Sequence, residues 1–448
     1  MGRKWREADY EEMEKREVKI GEVLPAGHLV RFVAKMVREL DLSEIYDEYG
    51  ESGGVAYEPE LLLSLIIYGY ITGIGGCRKI EEATKQDIAW MWLAGGYHPD
   101  HDTINNFRQK FMPQIEGLCV QLLERAMEMG IVKMENISGD GSKIHANASK
   151  SKAMSYKRVM ERKKMLEKEV AELMALGEEE IPSGMNRADE IGIRNLKINR
   201  LCDAEQILKE RAEERYEDDL AAYEERMAER AAEEAATGKG IRGAKPKKPS
   251  RKEPEEKAQY NFTDPESRIM PEGNHDGYEQ SYNAQAAVDQ ESLLIVGSLL
   301  SDNPNDKRLA IPLLDAIPAE MGKPKNVAYD TGYWSEKNVV EIEARGIEPY
   351  IATGRESHHL SWQERFLSSP EPPAEDASAK VKMAYKLKTG EGKQIYRRRK
   401  FTVEPVFGII KEVMRFRQFS LRGMVNAAGE WTLVCLAYNL KRLHQLLW

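Results

Sequence analysis

The sequence predicts an α/β core that is preceded by an all-α region and interrupted by a long helical insertion. Three observations predict it. Amphipathic helical spacing without strand patterning runs from residue 26 to 132. Short apolar runs ending near isolated acids appear around Asn136 to Asn147 and return from Tyr282 onward. Between them, residues 149 to 257 are dense in Ala, Glu, Arg and Lys with helical patterning. The boundaries drawn are 1–132 for a helical domain, 133–148 for the first part of the core, 149–258 for the charged insertion and 259–448 for the rest of the core. A length of 448 residues suits two or three domains, and 31% charged residues implies extended surface helix. Cys77, Cys119, Cys202 and Cys435 lack paired ligand spacing and read as reduced thiols of a cytoplasmic protein. The opening Met-Gly-Arg-Lys-Trp-Arg-Glu has no apolar core and no run reaches membrane-spanning length, so neither a signal peptide nor a membrane span is expected.

In the helical region, Leu29, Val33, Met36 and Val37 share one face, Pro59 opens a helix through Tyr70, and Gly73, Gly75 and Gly76 break it. A helix capped at Asp102 is expected to present Asn105, Arg108, Gln109 and Lys110, side chains suited to base edges and phosphates; bundle packing is the competing reading. His98-Pro99-Asp100-His101-Asp102 reads as a polar turn, since its proline and phasing do not suit a metal site. After Asn136, a short strand carries Asp140 at a bend permitted by Gly139 and Gly141. The insertion reads as a helical hairpin, Tyr156 to Leu176 and Ile191 to Ala236. Its basic tip carries Lys245, Lys247, Lys248 and Arg251, which can touch DNA backbone.

Strands return at Tyr282 to Val288 and Leu293 to Leu299, flanking a four-residue turn. A helix near Leu309 to Ile317 leads to Asn326 to Asp330, an apolar run that puts Asp330 at a strand's carboxyl end. Pro349 to Ala352 is another short strand. Thr402 is expected to cap a helix with Glu404 and Pro405 in its first turn, and with Lys411 on nearly the same face two turns later. Arg397, Arg398, Arg399 and Lys400 crowd its approach. From Val381 to Arg422, twelve Lys or Arg face three Glu, a balance of +9 in a chain whose net charge is −9. A compact basic face of that kind can still hold phosphates. The last apolar segment, Gly429 to Trp448, is expected to pack under the sheet.

Asp140, Asp330 and Glu404 thus fall at element ends in three separate segments. Hard oxygen donors without cysteine favour Mg²⁺, with Mn²⁺ possible, over zinc. Two such ions can activate a hydroxyl and neutralise a leaving oxygen in phosphodiester displacement, with Lys411 and the arginines holding flanking phosphates. Asp330-Thr331-Gly332 has no second copy, which argues against an aspartic protease.

Gly139-Asp140-Gly141-Ser142-Lys143-Ile144, Ala328 to Tyr333, and Tyr396 to Lys400 with Thr402 to Gly408 and Lys411 together resemble the catalytic blocks of Asp-Asp-Glu (DDE) transposases of bacterial insertion sequences. Asn261 to Arg268, Gly277-Tyr278, Tyr282 to Asp289 and the Tyr57 to Phe111 region also resemble that group. The resemblance implies a ribonuclease H-like mixed-sheet core, Mg²⁺-dependent cleavage at transposon ends and strand transfer into target DNA. It further implies Asp140, Asp330 and Glu404 as catalytic metal ligands, and a homodimer or larger assembly on DNA, in the cytoplasm with the nucleoid. A nuclease or resolvase of the same fold, or a catalytically idle DNA-binding descendant, are the alternatives. In the related Tyr-x-x-Arg-x-x-x-Glu signature the aligned positions here hold Arg397 and Lys400, while Tyr396 and Arg399 stand one residue further upstream.

Overall fold

The computed structural model describes residues 17–50, 54–237, 243–249, 253–271, 277–354 and 372–448. The chain divides into two compact units, one built from Met1–His145 with Tyr282–Trp448, the other from Ala146–Ser281. Arg251 lies outside the described residues.

The first unit begins with helices α1 (Leu29–Arg38), α2 (Pro59–Thr72), α3 (Cys77–Gln86), α4 (Ile88–Leu93), α5 (His101–Lys110) and α6 (Ile115–Glu128). Helix α2, Pro-Glu-Leu-Leu-Leu-Ser-Leu-Ile-Ile-Tyr-Gly-Tyr-Ile-Thr, is apolar on every side and almost wholly buried, so the other helices pack around it. Pro59 starts it where no N–H partner is needed, and Gly73 ends it at φ 77°, a left-handed cap open to glycine. Helix α5 starts two residues earlier than the sequence suggests: Asp100, not Asp102, is its cap, its carboxylate accepting from the Thr103 N–H at 2.8 Å. The adjoining His101 is fixed by Glu81, at 2.8 Å.

Strand β1 (Asn136–His145) then leads into the second unit. There β2 (Ala153–Ser155) precedes α7 (Tyr156–Ala175) and the 51-residue α8 (Arg187–Thr237), a helical hairpin. Strand β3 (Gln259–Asn261) pairs antiparallel with β2, and β4 (Arg268–Pro271) with the first four residues of β5 (Tyr278–Asp289). Val159, Leu166, Leu201, Ala204, Leu208 and Tyr260 form this unit's core. Ion pairs such as Lys163 with Glu205 and Arg194 with Glu169 hold the hairpin's flanks.

The remainder of β5 returns to the first unit and pairs antiparallel with β6 (Ile295–Ser301). Next come α9 (Ala310–Asp315), β7 (Asn326–Tyr329), α10 (Glu336–Ala344), β8 (Glu348–Ile351), α11 (Ala379–Lys386), α12 (Gly390–Lys400), α13 (Val403–Gly408) and α14 (Met424–Leu447). The sheet order in this unit is β6-β5-β1-β7-β8, with β1, β7 and β8 parallel. It is a mixed sheet, and α14 closes one side of it. Trp431 on α14 is buried, donates its indole N–H to the Gln285 carbonyl at 3.0 Å and stacks on Phe407. Asn439 pairs its amide with both backbone groups of Ile295, at 2.8 Å each, satisfying a position where β6 begins. No single described helix is long and apolar enough to cross a membrane.

Candidate active site

The site starts from the register of two parallel strands. Asn136, Ile137 and Ser138 of β1 face Asn326, Val327 and Ala328 of β7. Carrying that register on by two residues sets Asp140 beside Asp330 at the carboxyl end of β7, on one face because side chains alternate with period two. Gly139 and Gly141 do not make the expected bend; both lie inside a continuous strand without positive φ. They are small because neighbours cross them. A Cβ on Gly139 would sit 2.1 Å from the ring of Tyr329, and one on Gly141 2.0 Å from the Gln285 amide nitrogen. Asp330 also caps the short turn Thr331–Tyr333, its Oδ1 accepting from the Gly332 N–H at 2.8 Å.

Burial, and then the negative charge of Asp330, push the Asp140 carboxyl up to about 7. Arg399 and the Gly141 N–H, 2.8 Å away, pull the other way. Arg399 is the link to the third acid. Its side chain is 9% exposed; one terminal nitrogen lies 3.1 Å from Asp140 Oδ2, and the other lies 4.0 Å from Glu404 Oε1. Glu404 is in the opening turn of α13 and largely exposed. The Arg399 guanidinium stands 5.8 Å from the Tyr396 ring centre, and Arg399, not the signature-aligned Arg397 and Lys400, faces the acids. Arg397, Arg398 and Lys400 are exposed on α12.

A fourth acid, Asp306, was not expected. Its Oδ1 accepts from Asn283 at 2.7 Å, Gln285 at 2.9 Å and Lys143 at 3.3 Å, and Gln285 in turn accepts from the Tyr333 hydroxyl. Its charge also raises Asp140. The signal was present: Asn283 and Gln285 are the polar residues, at alternate positions, of the stretch Tyr282 to Val288, which aims both to one face. Burial depresses the Lys143 amine, while Lys411 donates to the Lys143 carbonyl at 3.0 Å.

Several placements differ from expectation. Arg108 is buried and donates to Tyr70 at 3.1 Å, Ser420 at 3.2 Å and Asn105 at 3.1 Å, so Arg108 and Asn105 form an internal polar network and do not present to DNA. That network continues through the Tyr70 hydroxyl to buried Glu430, 2.7 Å away. Lys110 is exposed but held by Glu48, 3.4 Å away. Thr402 does not cap α13; its hydroxyl donates back to the Arg398 carbonyl at 2.6 Å. A π-helical turn, Ile409–Val413, follows α13, so Lys411 does not continue its helical phase from Glu404.

Among the described residues no three His, Cys, Asp or Glu side chains gather into a metal cage. The donor chemistry nevertheless fits a hard divalent cation at Asp140 and Asp330: two adjacent, partly buried carboxylates that repel each other as anions.

The fold is a mixed α/β one with a helical N-terminal region, and comparison with known proteins gives its class. Residues 238–440 match the family described as transposase DDE domain, and residues 18–110 match that described as transposase domain (DUF772). The chain belongs among the DDE transposases of bacterial insertion sequences. Asp140 lies outside both matched stretches and joins the site through the sheet and through Arg399. The chain is 36% identical over 78 residues to a Burkholderia cepacia protein named as a transposase for insertion sequence element IS402, covering 16% of this chain and 37% of that protein. No solved structure matches.

Proposed function

We propose that the chain is a DNA transposase with a ribonuclease H-like core that binds the ends of its insertion sequence, cleaves a phosphodiester and transfers the freed strand into target DNA. The observation that carries this is the side-by-side placement of Asp140 and Asp330, with Glu404 reached through Arg399. Asp140 and Asp330 are the residues that would hold Mg²⁺ or Mn²⁺, and Glu404 is the third acid of the set. Bound there, a divalent cation, or a pair, supplies activation of the attacking hydroxyl and neutralisation of the leaving oxygen.

The chain's own residues do the rest. Arg399 neutralises the acids before DNA arrives and keeps Asp140 and Glu404 oriented toward one point. Asp306, held by Asn283, Gln285 and Lys143, fixes the wall beside Asp140. Arg397, Arg398 and Lys400 present exposed cations on α12 to flanking phosphates, with Lys411 close behind.

The purified chain is incubated with Mg²⁺ and DNA bearing its element's ends, and products are resolved as shifted, cut or joined. Wild type yields joined products; Asp330→Ala yields none while binding the ends as before, because it removes an oxygen donor and no phosphate contact. Cleavage that survives Asp330→Ala sinks the assignment.

A further inference from the structure

We infer that the insertion unit carries its own binding site for the phosphodiester backbone of DNA, apart from the acid cluster. The inference rests on the DNA reading above. In this unit a cavity of about 460 Å³ is lined by Lys152, Met154, Arg158, Arg200, Phe262 and Thr263. Its position follows from the packing of the hairpin. Val159 of α7 and Leu201 of α8 are buried in the unit's core, so their helical neighbours Arg158 and Arg200, about 100° around each axis, emerge at its rim. The β2-β3 pairing sets Met154 opposite Tyr260, and the Phe262 N–H donates to the Lys152 carbonyl at 3.1 Å. Phe262 then packs edge-on against Tyr260, 4.9 Å between ring centres, and forms an apolar floor.

Convergence singles this cavity out. Several cations elsewhere on the hairpin are matched to acids, Lys163 and Lys209 with Glu205 and Arg194 with Glu169 and Glu190, while Arg162, Lys164 and Lys197 stand exposed and line no cavity with them. Lys152, Arg158 and Arg200 have no such acid among the described residues, though they converge on one cavity with no acidic lining residue. Three unpaired cations around a hydroxyl and an aromatic edge suit a run of phosphates and sugar, and suit neither a metal nor an acidic metabolite needing enclosure. Asn261-Phe262-Thr263, a stretch that the acid cluster does not use, thereby gains a role.

The test measures binding of the full chain to a short labelled duplex of arbitrary sequence, by fluorescence anisotropy across a salt series. The triple variant Lys152→Gln, Arg158→Gln, Arg200→Gln is compared with a triple of equal charge change at exposed positions on the same helices, Arg162→Gln, Lys164→Gln, Lys197→Gln. If the cavity holds three phosphates, its triple loses about 2.7 from the slope of log affinity against log salt, worth roughly 40-fold between 50 and 200 mM salt. The control triple keeps the wild-type slope, and so does the charge-keeping Lys152→Arg, Arg158→Lys, Arg200→Lys. Equal losses in both neutralising triples, or no loss in either, overturn the cavity as a site. A wild-type chain that does not bind DNA at all overturns the DNA reading and this inference with it.

Discussion

Replacing Asp140 with Asn should change how stability depends on pH, by an amount that the site's electrostatics set. The Asp140 carboxyl titrates at about 7 in the fold against 3.8 ordinarily. A raised carboxyl binds its proton more tightly folded than unfolded, so its full contribution is present below about pH 4 and is lost as pH rises to about 7. At about 1.4 kcal/mol per pH unit, the wild type loses about 4 kcal/mol across that window and then levels off. Asn cannot titrate and does not lose it. Its absolute offset also includes the cost of leaving Arg399 with Glu404 as its remaining close acid, so the diagnostic is the slope. Urea unfolding followed by tryptophan fluorescence, with Trp431 buried on α14 as reporter, is run on both proteins at several pH values between 4 and 8. Wild-type and variant stabilities that run parallel across that range would refute the account of Asp140 as a partly buried, repelled anion.

Mg²⁺ in excess should flatten the wild-type slope, taking the proton's place between Asp140 and Asp330, and leave Asp140→Asn unmoved in the same titration. Arg108→Ala should destabilise the first unit by about 3–5 kcal/mol, because it strips a buried network ending at Glu430, while DNA affinity per folded molecule stays as it was. A stable but weakly binding variant would return Arg108 to the DNA surface. Gly139→Ala should cost about 1–3 kcal/mol by thermal or urea unfolding. Tyr329 cannot retreat, since its hydroxyl is tied to the Ala310 carbonyl at 2.9 Å and its ring stacks on Tyr333. Lys411→Ala should lower the salt slope of DNA binding by about 1; an unchanged slope marks the lysine as a brace for the Lys143 carbonyl.

What could be read from the residues was what depends on local periodicity. The β5-β6 hairpin, the strand that stops before Asp330, the helical hairpin of the insertion and the apolar last helix all announce themselves in patterns of two or 3.6 residues. What could not be read depends on partners remote in the chain. Gly139 and Gly141 look like a bend until Tyr329 and Gln285 are seen to cross them. Arg108 looks like a reader of phosphates because its helix face is polar, yet that face meets Tyr70 and Ser420, which sequence order does not place there.

The offset of Tyr396 and Arg399 from the related signature has the same origin. Counting residues to Glu404 presumes one unbroken helix, but α12 ends at Lys400 and the chain turns at Phe401 and Thr402 before α13 begins. The Thr402 N–H donates to the Arg399 carbonyl at 3.1 Å and its hydroxyl to that of Arg398, which closes α12 and resets the phase. Within α12, Ile395 and Arg399 are four residues apart and both buried, with Tyr396 on the same side, three residues before Arg399. Arg397, Arg398 and Lys400 are consequently rotated outward. One helix thus divides its cations by face: a single guanidinium turned in to hold carboxylates that would otherwise repel one another, and four charges, Lys393 among them, left in solvent, where a polyanion is the partner that gains most from them.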